Sequence, residues 1–411
     1  MVKNKNFFNF LDQNALNRLD KVHLREQNLA LLLRKIWSGH ETTRANLARE
    51  TGLSRSAVST LVDLLLEMDL VEERGEGVST GGRKPTVVKF NYQSKYVLGI
   101  DIGASHLGML VTDLQGKHII WLKRSCDVRA EPLNAIEVLK QMMKQTLEQA
   151  HIAFDDFLGV GIAVPSPVNP QKSNFLSPVF MPAWREIDLV EALSLPPNLP
   201  IMIDNDANMG ALAETWWGAG QGCTHLAFIK LGTGVGAGFV IDGRIFRGHG
   251  GSAGELGHIV IDPDGPLCVC GLQGCLATFV GTKALLEQAQ EQGYLGKAVL
   301  SEFLIALQEG DLSARTTIAK VAHQLGLAVS GLMNMMNPER VILGGDLALA
   351  GDVLLHPLRE CIQSRSLWSA LSGSKILTSS LGDTAIAQGA ITSILQLALT
   401  QPSHCFKNWG R

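Results

Sequence analysis

Leu231-Gly232-Thr233-Gly234-Val235-Gly236-Ala237-Gly238 is a glycine-rich turn set between two extended apolar runs, His225 to Leu231 and Gly236 to Ile241. Its reading decides the fold. A turn of this composition offers successive backbone N–H groups to an anion such as phosphate. A second turn of the same kind, Asp101-Ile102-Gly103-Ala104-Ser105, lies between the extended runs Tyr96 to Ile100 and Gly108 to Thr112. Asp101 is placed there to hold a metal ion. The first turn is followed by a strand His118 to Trp121, a helix Leu133 to Ala150, and strands Leu158 to Ala163 and Ile201 to Ile203. The second is followed by a strand His258 to Ile261, several helices, a strand Arg340 to Leu343 and the turn Gly344-Gly345. The order β-β-β-α-β thus occurs twice, which predicts a duplicated α/β fold with a cleft between two lobes. Either turn alone reads as a plain glycine hairpin; recurrence at equivalent positions favours phosphate-binding ancestry.

Two further stretches carry chemistry. Asn205-Asp206-Ala207-Asn208 directly follows the strand Ile201 to Ile203. A carboxylate at a strand end facing a cleft can accept a proton from a sugar hydroxyl, with Asn205 bonding its neighbours. The competing reading is an Asx cap for the helix Ala207 to Trp217. Downstream, Ser252-Ala253-Gly254-Glu255-Leu256-Gly257-His258 precedes Cys268-Val269-Cys270-Gly271-Leu272-Gln273-Gly274-Cys275. Cys268, Cys270, Cys275 and His258 make a closed Cys₃His set, suited to structural Zn²⁺ and not to catalysis. The alternative is three chance thiols in a buried loop. The second ring nitrogen of His258 is then free to serve a ligand hydroxyl.

The first 90 residues have a different period. Leu29, Leu32, Leu33 and Ile36 mark one helical face. A break at Ser38-Gly39-His40 precedes a short helix, Arg44 to Glu50, and Gly52 sits where a tight turn needs positive φ. Ser54 caps a third helix whose apolar face is Val58, Leu61, Val62 and Leu65. Its other face presents Ser54, Arg55, Ser56, Ser59 and Thr60, small hydroxyls and one guanidinium suited to a DNA groove. Val71 to Arg74 and Thr86 to Phe90 read as strands flanking a glycine loop that ends in Arg83-Lys84, a wing for the minor groove. A three-helix protein-interaction module is the alternative. The order of helix, helix, glycine turn, Ser-rich helix and basic loop favours a winged helix-turn-helix for double-stranded DNA.

Composition bounds these readings. With 411 residues, 46% of them hydrophobic and 18% charged, the chain has apolar surface for more than one core and is not a disordered polymer. No apolar run reaches membrane-spanning length, and Met1-Val2-Lys3-Asn4-Lys5 leads into a polar segment, not a secretory core. A cytoplasmic protein without a membrane partner is expected. Seven cysteines, three of them clustered, suit a metal site better than a disulfide framework. The net charge is −3, yet residues 1–90 hold 14 Lys+Arg against 11 Asp+Glu, a mildly basic head on an acidic body.

Taken together, Asp101-Ile102-Gly103, Gly161-Ile162-Ala163-Val164-Pro165, Asn205-Asp206-Ala207-Asn208, Gly232-Thr233-Gly234-Val235-Gly236, Gly254-Glu255-Leu256-Gly257-His258, the cysteine cluster and Val341-Ile342-Leu343-Gly344-Gly345 resemble the ROK family of repressors, open reading frames and sugar kinases. With its winged head, the chain is similar to the family's transcriptional repressors. The resemblance implies a two-lobed, actin-like ATPase (ribonuclease H-like) body. It implies a sugar site of Asn205, Asp206, Glu255 and His258, with Asp206 at the kinase base position, and zinc on His258, Cys268, Cys270 and Cys275. Asp101, Gly103, Gly232, Thr233, Gly234, Gly344 and Gly345 would hold ATP with Mg²⁺, or be the remnant of such a site. It further implies a homodimer or homotetramer on a palindromic operator, released or retained by a sugar or sugar phosphate. The expected division is 1–90 for the head, 95–217 with helix 383–400 for the first lobe, and 218–382 for the second. Two departures stand out. Gly103-Ala104-Ser105 replaces the kinases' Gly-Gly-Thr, and Ala277 stands where the family has a sugar-binding Glu. The leading reading is a sugar-responsive repressor; the others are an ATP-dependent sugar kinase with a DNA-binding head and a constitutive DNA binder with a vestigial pocket.

Overall fold

A computed structural model describes residues 13–39, 41–76, 86–169, 176–177 and 179–406. Arg83 and Lys84, and with them most of the expected wing, lie outside the described residues, as does His40. The head consists of α1 (Gln13–Trp37), β1 (Thr42–Thr43), α2 (Arg44–Thr51), α3 (Arg55–Glu67), β2 (Val71–Glu76) and β3 (Thr86–Phe90), with the strands paired antiparallel in the order β1-β3-β2. Thr43 caps α2 and Ser54 caps α3, each accepting a backbone N–H. Gly52 ends α2 in the left-handed conformation at φ 71°. Val58, Leu61, Val62 and Leu65 are buried as their spacing predicts.

The body contains two five-stranded sheets. The first is formed by β4 (Tyr96–Ile102), β5 (His106–Asp113), β6 (His118–Ser125), β7 (Phe157–Val164) and β8 (Ile201–Asn205), with α4 (Pro132–Ala150) and α5 (Leu189–Ala192) between strands and α6 (Asp206–Trp217) after them. The second is formed by β9 (Leu226–Leu231), β10 (Val235–Ile241), β11 (Arg244–Phe246), β12 (Arg340–Gly344) and β13 (Lys375–Thr378). Helices α7 (Ala277–Val280), α8 (Thr282–Glu291), α9 (Leu300–Glu309) and α10 (Leu312–Met336) separate β11 from β12. Helices α11 (Asp352–Arg365) and α12 (Trp368–Leu371) lie between β12 and β13, and α13 (Ala385–Thr400) and α14 (Pro402–Cys405) end the described chain.

The orders are β6-β5-β4-β7-β8 and β11-β10-β9-β12-β13. In each, the first three strands form an antiparallel meander and the last two run parallel to the first. The duplication is therefore real at the level of topology, with a fifth strand in each half. One expected strand is wrong: His258 to Ile261 is a 3₁₀ turn (Leu256–His258) running into a single bridge, and the third strand of the second sheet is β11. Just before it, Gly254 and Gly257 pack on the Ala237 and Val235 carbonyls, turning the backbone instead of extending it.

Helix α13 leaves the second lobe and packs on the first sheet. Close approach is possible because Gly161 in β7 faces the Ala390 carbonyl directly, and a Cβ there would overlap it. Gly389 likewise lets α13 meet the backbone of α6 at Met209. The head is seated on the same helix. Leu29, Leu32 and Leu33 of α1 share one apolar cluster with Val97, Leu110, Ile391, Ile394 and Leu395. Trp37 ends α1 against Trp216 and Trp217, at ring distances of 5.6 and 6.3 Å. Its indole N–H donates to the Leu114 carbonyl at 2.9 Å, and the Tyr92 hydroxyl donates to the Trp37 carbonyl at 2.6 Å.

Gly161→Ala should lower stability by about 1–3 kcal/mol, because the added methyl must push α13 off the sheet. Gly331→Ala, at an exposed position of α10 with nothing within 4 Å, should raise it by about 0.5–1 kcal/mol. Denaturant midpoints of the two variants test this, and equal shifts in the same direction would refute the packing argument.

Candidate functional site

Between the sheets lies a cleft of ≈ 780 Å³. Asp101, Asn205, Asp206, Gly232, Thr233, Gly234, Glu255, His258, Gly344 and Gly345 all line it. Gly103 does not. It is packed behind the turn against the His106 ring, whose Nε2 donates to Asp101 Oδ2 at 3.1 Å. Asp101 also belongs to the end of β4 and not to the turn itself.

Asn205 satisfies the capping reading. Its Oδ1 accepts from the N–H groups of Ala207 and Asn208 at 2.9 and 3.3 Å, and its Nδ2 donates to the Ser166 carbonyl at 3.3 Å. The cap starts α6 at the cleft and aims Asp206, only 5% exposed, into it. The preceding Asp204 is also buried. Its Oδ1 accepts from Asn208 Nδ2 at 3.0 Å, and its Oδ2 accepts from Arg247 Nε at 2.8 Å. Arg247 stands at the start of the loop that carries Glu255, so this ion pair ties the floor of the first sheet to the loop of the second.

Glu255 and His258 sit on the opposite wall, with Glu255 Oε2 3.8 Å from His258 Nε2. Burial, and then the facing Asp206 carboxylate, push the Glu255 carboxyl up to about 7. Burial, and then Arg129, hold His258 below the usual histidine value, which favours the neutral ring. Its other nitrogen, Nδ1, lies 3.5 Å from Cys268 Sγ, and Cys270 Sγ lies 3.7 Å from Cys275 Sγ. One ligand atom from each of His258, Cys268, Cys270 and Cys275 falls within 4.8 Å of the others. The loop closes because Gly271 and Gly274 adopt φ of 88° and 71°. The His258 ring also packs on Phe180, 5.1 Å between centroids.

Sequence reasoning missed three charged residues here. Lys230, next to last in β9, forms an ion pair with Asp206. Arg247 pairs with Asp204, and Arg129 lines the cleft while donating to the Phe180 carbonyl at 3.0 Å. Lys230 carried a signal: it is the one charged residue in Leu226–Leu231, whose other members are apolar and buried. In the head, Ser54, Arg55, Ser56 and Thr60 are exposed, but Ser59 is not free. Its Oγ is held by Arg44 Nη1 at 2.9 Å, and Arg44 also bridges Asp63 and Glu73, each at 2.7 Å.

Arg247→Met should destabilise the fold by about 1–2 kcal/mol, since it strips a charged donor from a buried carboxylate but at an exposed arginine. Arg247→Lys should recover part of the loss. Parental denaturant stability in Arg247→Met would show that the pair does not join the two walls.

A family model described as the ROK family matches residues 97–396. The xylose repressor of Caldicellulosiruptor bescii is 30% identical over 393 residues, covering 93% of this chain and 98% of that protein. A crystal structure of a ROK family transcriptional regulator, a homologue of the E. coli MLC protein, superposes with a TM-score of 0.77 at 26% identity, covering 93% of this chain and 99% of that one. A ROK family glucokinase from Streptomyces griseus, solved with glucose and AMPPNP, superposes with a TM-score of 0.63 at 27% identity and covers 73% of this chain and 99% of its own. The body thus has the mixed α/β, actin-like architecture of those kinases, and with 97–396 matched the chain belongs to the ROK family.

Proposed function

We propose that this protein is a sugar-responsive transcriptional repressor: a winged helix-turn-helix head binds operator DNA, and a sugar or sugar phosphate in the cleft changes its affinity. The observation that carries the reading is α6. Its capped N-terminus places Asp206 in the cleft, and its C-terminal Trp216 and Trp217 pack on Trp37 of the head. Twelve residues at 1.5 Å per residue make it a rod about 18 Å long. A ligand that shifts Asn205 and Asp206 therefore moves the seat of α1, and with it the exposed N-terminal turn of α3. The shift biases DNA binding only if the sugar prefers one of two arrangements.

In this reading residues 1–90 are the DNA-binding unit, 95–217 with the helix at 383–400 the first lobe, and 218–382 the second. Arg55, Ser54, Ser56 and Thr60 approach the major groove, and Arg83 and Lys84 the backbone or minor groove. Asn205, Asp206, Glu255 and His258 contact the sugar. Subunits associate as a dimer or tetramer to span a palindromic operator. No helix among the described residues is long and apolar enough to cross a membrane.

His258, Cys268, Cys270 and Cys275 fit structural zinc. A tetrahedral ion with Zn–S of about 2.3 Å and Zn–N of about 2.0–2.1 Å has S···S and S···N edges of about 3.8 and 3.6 Å. Here Cys270–Cys275 is 3.7 Å and Cys268–His258 is 3.5 Å, and all four ligand atoms lie within 4.8 Å of one another. A disulfide would require about 2.0 Å between sulfurs. Without a cation, burial and then the neighbouring thiols push Cys275 up to about 12. The ion would lock the loop and hold His258 with Nε2 toward the cleft. Mg²⁺–ATP, by contrast, does not fit the residues present, because the Lys230 ammonium already occupies Asp206. No phosphoryl transfer is derived from this cleft.

Gel-shift titration of the neighbouring promoter with a sugar panel tests the reading: one sugar should change operator affinity at least tenfold. No bound operator, or no responding sugar, would overturn it. Arg55→Ala should weaken operator binding by about 1–3 kcal/mol and relax sequence preference. Cys270→Ser should lose stoichiometric metal and blunt the sugar response; normal induction in a metal-free Cys270→Ser protein would sever the loop from the cleft.

A further inference from the structure

The cleft of a phosphoryl-transfer enzyme needs a divalent ion held by carboxylate and phosphate oxygens. Here the carboxylates are present: Asp101, Asp206 and Asp346 all line the cleft. Asp101 is 2% exposed, and its Oδ1 accepts no hydrogen bond among the described residues. Asp101 and Asp346 have partners of their own, His106 at 3.1 Å and Lys123 at 3.9 Å, and at Asp206 a cation already sits. Lys230 projects from β9, retains 17% of its side-chain exposure and pairs with Asp206, which retains 7%. Burial works against the charge of Lys230, but Asp206, then Asp101 and Asp346, outweigh it and hold the ammonium above the usual lysine range. The two glycine turns also touch: Ser105 Oγ lies 3.2 Å from Thr233 Oγ1, both lining the cleft.

We infer that Lys230 is the resident cation at Asp206, with Asp101 and Asp346 lining the same cleft, and stands where a divalent metal would otherwise bind, so that the cleft takes a sugar without metal or nucleotide. Pairing fixes Asp206 as a hydrogen-bond acceptor for a sugar hydroxyl instead of leaving it available as a proton acceptor. It also confers a specificity that a kinase cleft lacks, because a nucleotide loses the metal that would neutralise its phosphates. The inference rests on the sugar-sensing reading of the cleft, but metal uptake can be measured with neither sugar nor DNA, so the two can fail separately.

The test is a Mn²⁺ titration followed by electron paramagnetic resonance, together with melting temperatures with and without Mn²⁺, on the full-length protein with its Cys₃His group loaded with zinc. Parent, Lys230→Ala, Lys230→Met and Lys230→Arg are compared. Lys230→Ala and Lys230→Met should each bind one Mn²⁺ per chain at least tenfold more tightly than the parent, and their melting temperatures should rise with Mn²⁺. Parent and Lys230→Arg should show neither effect. If removing the lysine weakens folding, Mn²⁺ should restore it. Equal Mn²⁺ affinity in parent and Lys230→Ala, no gain in either neutral variant, or failure of Mn²⁺ to stabilise them would overturn the assignment. So would thermal stabilisation of the parent by Mg²⁺–ATP that is lost in Lys230→Ala, which would make Lys230 a phosphate ligand.

Discussion

The cap at Asn205 is the constraint on which the rest of this molecule depends. By accepting the first N–H groups of α6, Asn205 sets where the helix begins, and so sets both what Asp206 faces in the cleft and what Trp216 and Trp217 face at the other end. The helix cannot drift along its axis, because Gly389 and Gly210 bring it into backbone contact with α13 on one side and against Phe228 of β9 on the other. Trp217 is fastened to α13 by its own hydrogen bond to Thr392, at 2.7 Å. Packed interiors pass such displacements on instead of absorbing them. The head, seated on α13 and on the two tryptophans, is held by the same elements that form the floor of the cleft.

Charge gives the cleft its chemical character. Asp101 and Asp206 in the cleft, and the buried Asp204 next to them in the chain, are each met by a cationic or imidazole group: His106, Lys230 and Arg247. Glu255 has only the His258 imidazole, at 3.8 Å, and burial and then Asp206 raise its carboxyl. A sugar hydroxyl placed between Asp206 and Glu255 would relieve that burial by donating to the carboxylate, which is the interaction a neutral polyol can supply and a phosphate cannot. Ala277 also lines the cleft and contributes no side-chain hydrogen-bond acceptor there.

Much of this was legible in the sequence. Both glycine turns mark true sheet hairpins, because only a few residue types permit such tight reversals between apolar strands. The Cys₃His group assembled from its spacing, because Gly271 and Gly274 leave the loop few ways to close. The Ser54 cap and the apolar face of α3 followed from period and capping chemistry alone. What was hidden depends on partners distant in the chain. Lys230 looks like an intruder in an apolar strand until α6 supplies Asp206. Arg44 looks like a helix-start cation until Ser59, Asp63 and Glu73 converge on it. His258 to Ile261 has the composition of a strand, but the loop folding back through Cys275 leaves no neighbour to pair along its length. The segment after Thr400 carries no motif, yet α14 docks on α1, with the Ser403 hydroxyl donating to Glu26.

The coupling through α6 is tested most directly by operator affinity with and without the responding sugar in Trp216→Ala, alongside sugar affinity measured calorimetrically on the same protein. The account predicts that sugar binding stays within about threefold of the parent, while the sugar-induced change in operator affinity collapses toward unity. A Trp216→Ala protein that binds sugar and switches its operator as fully as the parent would contradict it.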